Sequence, residues 1–164
     1  MNELQRILVG DAAAAAPEQV VRGVTEELSH RRPAGSPRSL YEELWHVTFW
    51  LEISLDWIGG RPRAYPASAA DGFPTVLEME RESWVELVQR FLRGLERAAE
   101  AAGDAARLEM RVECPSVPGE PVRTMTVREQ LENLGAHNAY HLGRMVLLRQ
   151  MLGAWPPKGG GFTW

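Results

Sequence analysis

His137 and His141 stand four residues apart in LENLGAHNAYHLGRMVLL, a stretch that is otherwise largely apolar. On an α-helix this spacing places both imidazoles on one face, a single turn apart. Val127, Leu131, Leu134, Met145, Leu148 and Leu152 share that face, so the pair interrupts a stripe of hydrocarbon. An unpartnered polar group in such a place costs about 1–3 kcal/mol. Two arrangements relieve the cost. Each ring can hydrogen-bond to a side chain on a neighbouring helix, or both can direct a nitrogen at one divalent metal ion. Asn138, not Glu, follows His137, so the HExxH pattern and the general base of a zinc protease are absent.

His46, in LWHVTFWLEISL, shares a helical stripe with Trp50, Ile53 and Trp57. A facing helix can carry it opposite the HxxxH pair, giving three nitrogen ligands and one open position, the pattern of catalytic rather than structural metal sites. Neutral imidazoles leave the ion its full charge and make it a strong Lewis acid. Zn, Ni, Co, Fe and Cu all suit three imidazoles, with Zn or Ni the expected occupant. Hydrolysis through bound water and reaction through a bound thiolate are both open to such a site.

Around the three histidines the expectations are plainer. Glu43 and Glu132 fall on solvated faces, a role beside the ligands being the alternative for each. Asn138 reads as buried polar structure that can orient a ligand. Trp45, Trp50, Trp57 and Trp84 read as core, with Trp50 alternatively walling an apolar pocket beside the metal. Cys114 reads as a buried inert thiol, with a fourth-ligand or nucleophile role as the alternative. Arg144 reads as a surface or dimer salt bridge, the alternative being to bind a carboxylate substrate. His30, beside Arg31 and Arg32, is expected to cap helix-terminal carbonyls in solvent.

Proline and glycine clusters cut the chain into four amphipathic blocks that must position these residues. The first reaches about His30. The second, from about Ser39 to Ile58, opens on a Ser39–Glu42 capping box and stops at Gly59-Gly60. The third, Thr75 to about Gly103, places Leu77, Trp84, Val88, Phe91, Leu95, Ala98 and Ala102 on one stripe. The fourth opens on Thr126–Glu129 and ends before Gly153. Between the last two lies LEMRVECPSVPGEPVRTMT, a proline-rich connection whose Leu108, Met110 and Val112 alternate as a strand or covering loop. The pattern implies an all-α chain: one four-helix-bundle domain over 1–164, with a Gly/Pro-rich C-terminal tail whose Trp155 and Trp164 cover the bundle's open end.

The 164 residues are 45% hydrophobic and 24% charged, with a formal net charge of -4, which supplies no basic footprint for nucleic acid. No apolar run is long enough for a membrane span, and no signal peptide is recognisable. The single cysteine excludes an internal disulfide and points to a reducing, cytoplasmic setting.

His46 in WHVTFW, His137 and His141 in HNAYHLGR, and the closing LLRQMLGAWPPKGGG together resemble the DinB-like family over nearly the whole chain. The resemblance implies a four-helix bundle, a divalent metal on this histidine triad, and a homodimer. Relatives include thiol-dependent enzymes such as mycothiol-dependent maleylpyruvate isomerase and bacillithiol transferases. It therefore implies a metal-dependent transferase or isomerase that uses a low-molecular-weight thiol on a small-molecule substrate, with metal-assisted hydrolysis next. The competing reading is a non-catalytic dimeric bundle that binds or senses metal, or whose histidines only hydrogen-bond. A substrate-sized cavity beside the histidines separates the two.

Overall fold

The computed structural model describes residues 1–10, 12–61 and 63–159. Its helices, in chain order, are α1 (Glu3–Val9), α2 (Pro17–Val21), α3 (Glu26–His30), α4 (Leu40–Ile58), α5 (Val76–Arg81), α6 (Trp84–Gly103), α7 (Ala105–Leu108) and α8 (Val127–Met151). One antiparallel hairpin, β1 (Arg111–Cys114) and β2 (Arg123–Thr126), precedes α8. The chain is thus mostly helical rather than wholly so. None of the described helices is long and apolar enough to cross a membrane.

The three long helices start where their capping residues place them. Ser39, Ser83 and Thr126 each accept from the amide three residues on, and Glu42, Glu86 and Glu129 each reach back to the cap's own N–H. This reciprocal pairing satisfies two donors that a helix start otherwise leaves bare. The Ser83 cap also corrects the third block. The chain breaks between α5 and α6, and Leu77 is left exposed rather than joining the stripe of Trp84, Phe91 and Leu95. The first block is likewise three short helices, interrupted at Gly10, Gly23 and the loops around them.

Helix α4 is central, with 14 of its 19 residues buried. It packs on α6 and on α8, and α1 closes the circuit by packing on the same two partners. Small residues set two of these approaches. A Cβ on Gly94 of α6 would lie 2.6 Å from Leu51 Cδ2, and one on Gly135 of α8 would lie 2.7 Å from Ile7 Cγ2. Side chains are as dense here as in an organic crystal, so neither position has room for a methyl group. Asn2 and Gln5 fix α1 by donating to the Ala102 and Ala99 carbonyls of α6, at 2.7 and 3.0 Å.

A buried cation ties the two ends of the described chain. Arg149, in the last turn of α8, is 2% exposed. Its guanidinium donates to the carbonyls of Gln19, Val20 and Ala154, and it stands over the Trp155 ring. No carboxylate is paired with it among the described residues, and burial pulls its pKa below the ordinary arginine value. Trp155 does pack back on the core, as the tail's composition suggests. Trp164 lies outside the described residues.

The connection between α6 and α8 resolves the alternating piece. Leu108 ends α7, and only Val112 lies in the strand, paired with Met125. Cys114 closes β1 against Ile53 and Trp57 of α4 and is wholly buried. Its cross-strand partner is Arg123. The 61–75 connection lies over the middle of α4 and brings Tyr65, Gly72 and Phe73 beside His46.

Candidate metal centre

Facing α4 and α8 bring His46, His137 and His141 together, each offering a ring nitrogen within 4.8 Å of the others. His141 is buried, while His46 and His137 are half-buried and border open space. His46 Nε2 and His137 Nε2 are 3.2 Å apart. Two nitrogens on a tetrahedral ion at 2.0–2.1 Å would stand about 3.3 Å apart, so the spacing suits a shared metal.

The outward nitrogens set which lone pairs face inward. His46 Nδ1 lies 2.7 Å from the Gly72 carbonyl, and His141 Nδ1 lies 2.7 Å from Glu43 Oε2. Both oxygens can only accept, so each ring carries its proton on Nδ1 and presents Nε2 as a bare donor atom. This is how proteins orient histidine ligands and raise their basicity. Gly72 gives that approach room, since a Cβ there would lie 3.3 Å from His46 Nδ1, closer than ordinary contact. Phe73 stacks on the His46 ring at 4.3 Å, with the Arg38 guanidinium on Phe73's far face at 4.0 Å.

Burial and mutual repulsion disfavour a charge on His46 and His137. Burial lowers the His46 pKa, and a charge on His141 would lower it further, against the opposing Gly72 bond. His137 is pushed down to about 4 by burial first and by its two imidazole neighbours next. Its Nδ1 is buried and has no hydrogen-bond partner among the described residues.

Glu43 corrects the expectation of a solvated face. It is fully buried, accepting from His141 on one oxygen and from Arg144 Nε and Nη2 on the other, at 3.0 and 2.7 Å. Burial alone would raise its pKa, but the His141 and Arg144 bonds and the Arg144 charge outweigh that and hold it low. Arg144 is therefore engaged within the chain and not free to take a substrate carboxylate. The sequence carries one signal of this. Glu43 lies three residues before His46 on the helix, and Arg144 three after His141. Glu132 is exposed, as expected.

Asn138 is buried beside His137, but neither of its amide atoms has a hydrogen-bond partner. Trp45, Trp57 and Trp84 are core. Trp50 is the exception, half-buried and shared by two cavities that flank the histidines. One, of about 440 Å³, borders His137. The other, of about 420 Å³, borders His46 under the 61–75 connection. Cys114 is outside the cluster. Its thiol points at Gln130 from 3.5 Å, and burial pushes its pKa up. His30 bonds the Glu26 carboxylate at 3.0 Å and stacks on Tyr41 rather than capping carbonyls.

The family model of the DinB superfamily matches residues 11–145. That span covers most of the chain and all three histidines, so the protein belongs to the DinB superfamily. No curated protein matches the chain at a significant level.

Proposed function

We propose that this DinB-superfamily protein holds a divalent transition metal, zinc or nickel, on His46, His137 and His141, and acts as a metal-dependent enzyme on a small molecule. One observation carries the reading. Gly72 and Glu43 occupy the Nδ1 sides of His46 and His141, so two bare Nε2 atoms face His137 beside a cavity of about 440 Å³. A volume in that range suits a small organic ligand. When bound, such an ion supplies a Lewis acid that can acidify water or a thiol near neutral pH.

The chain's own groups do the rest. Glu43 holds the His141 ring and Arg144 keeps Glu43 ionised, so the ligand does not turn. Trp50, Phe73 and Tyr65 exclude water from the inner side of the cavities. No carboxylate stands among the described residues lining the larger one, so a proton removed there passes to the substrate or solvent. That favours a reaction led by a nucleophile already ionised, and we read a low-molecular-weight thiol as the co-substrate, in transfer or isomerisation, ahead of hydrolysis. We also read α1, α4, α6 and α8 as the four helices of a bundle. We place a homodimer contact on the outer ridge of α8, where Tyr140, Leu147 and Met151 are exposed.

The hydrogen-bonded core remains the rival, because the 3.2 Å contact between His46 and His137 also fits an N–H···N bond. Metal content by mass spectrometry of the full chain, purified without chelator, separates them. About one equivalent in the parent and none in His46→Ala is expected. No metal in the parent, even after added zinc or nickel, overturns the proposal.

A further inference from the structure

The cavity beside His137 carries one charge, and the fold does not use it. Arg123 lines the mouth from β2 and forms no ion pair or hydrogen bond with any described residue. Its cross-strand neighbour Cys114 is a buried thiol held protonated by burial and cannot neutralise it. The polar groups deeper in the wall are already engaged. Gln130 donates to Ser54 Oγ at 2.9 Å and faces the Cys114 thiol with its carbonyl. The indole N–H of Trp57 donates to the Arg63 carbonyl at 2.7 Å.

Beside the Asn133 amide and the Tyr65 hydroxyl, what is left for a ligand is flat and apolar. The Trp50 and Tyr65 rings stand 5.1 Å apart at 54°, and Trp57 lies nearly parallel to Tyr65 at 6.5 Å. Aromatic faces at these angles accept a planar body with edge and face contacts. A guanidinium with all its donors free at the rim is suited to a carboxylate, whose two oxygens match its fork. The wall offers no acid that would favour a cation or repel an anion.

We propose that this cavity takes a small molecule with a flat apolar body and one carboxylate, the carboxylate held by Arg123 at the mouth and the body against Trp50, Trp57 and Tyr65, with its other end toward His137. This rests on the cavity being the substrate site of the metal enzyme described above. Arg123 binds and orients, and the anionic preference is its contribution.

The probes are 2-naphthoate and its uncharged amide, 2-naphthamide, titrated calorimetrically into the full chain at low ionic strength. Each is tested on chelator-treated and on zinc-loaded protein. We expect the acid to bind about tenfold tighter than the amide in both forms, the size of one charge-assisted contact. Arg123→Gln should bring the two within about twofold while leaving helix content unchanged, and Arg123→Lys should keep part of the preference. Equal affinity for acid and amide in the parent overturns the proposal, and so does a preference that survives Arg123→Gln. So does a preference present only with zinc, since the anion would then be on the metal. Zinc content of the same samples scores the metal centre separately, so either reading can fail while the other stands.

Discussion

Two polar centres are buried on α8, eight residues apart, and they are built on opposite rules. At His141 the ring has one nitrogen tied to Glu43, and nearby His137 Nδ1 is buried without a well-formed hydrogen bond among the described residues. At Arg149 the guanidinium gives four hydrogen bonds to three carbonyls, and its charge has no acid opposite it among the described residues. By helical rise the two lie about 12 Å apart. The difference separates a clamp from a site. The clamp spends its charge on carbonyls that hold the fold, with the Trp155 indole N–H beside it left without a partner among the described residues, whereas the histidines turn ring nitrogens toward one another and toward open space.

The largest effect should come from the clamp. Arg149→Met leaves the Gln19, Val20 and Ala154 carbonyls without their charged donor, and about 3 kcal/mol of stability should go in urea unfolding. A loss under about 0.5 kcal/mol would show that the buried cation is not what holds the ends together. The variant should keep its metal, since nothing in the histidine cluster touches it.

Glu43→Gln tests the other centre from its support. The amide keeps the shape but loses the charge on which His141 and Arg144 converge. Metal affinity should fall roughly 10–100-fold with the helices intact. Unchanged affinity would mean that Glu43 serves only to bury Arg144.

Acid should distinguish the centres without mutation. His46 and His137 have folded pKa values below their unfolded ones, so the unfolded chain takes up protons first as pH falls. Stability of the metal-free protein is then complete above about pH 6.5 and drains away as pH falls toward 4. The lowered Glu43 pKa adds a loss of the same sign at the acid end. In His137→Leu the decline between pH 7 and 5 should be shallower, read by thermal melts. A parallel decline would show that His137 is not the group titrating.

The same variant gives the smallest change at neutral pH. His137→Leu removes a proposed ligand and should abolish metal binding, yet it also removes a buried nitrogen with no partner among the described residues. The metal-free stability should stay within about 1 kcal/mol of the parent. A large loss would mean that the imidazole holds the core and that the contrast with Arg149 is false.

Much of this was legible in advance, where the code is local. Ser39–Glu42 and Thr126–Glu129 start their helices at the expected residues, and the i, i+4 spacing of His137 and His141 survives as one face. The Ser83 cap was equally local but lay inside a continuous amphipathic pattern, so α5 and α6 read as one helix. Glu43 could not be placed by spacing, because a carboxylate on a helix reads as solvated until its partners are known. Those partners, His141 and Arg144, are about a hundred residues away. Arg149 and Arg123 hid for the same reason, and nothing in their neighbouring sequence sets them apart from the other arginines.

The division of labour between helices and connections has a consequence for how such a protein changes over time. All three histidines and Glu43 lie on α4 and α8, where a shift of register would wreck the core. Tyr65, Gly72, Phe73, Val117 and Arg123 sit on the 61–75 connection and the hairpin, segments that accept substitution and insertion readily. Descendants of this sequence can exchange the cavity walls while inheriting the histidine cluster intact. Divergence of the cavity walls with retention of the histidines is the course this architecture leaves open.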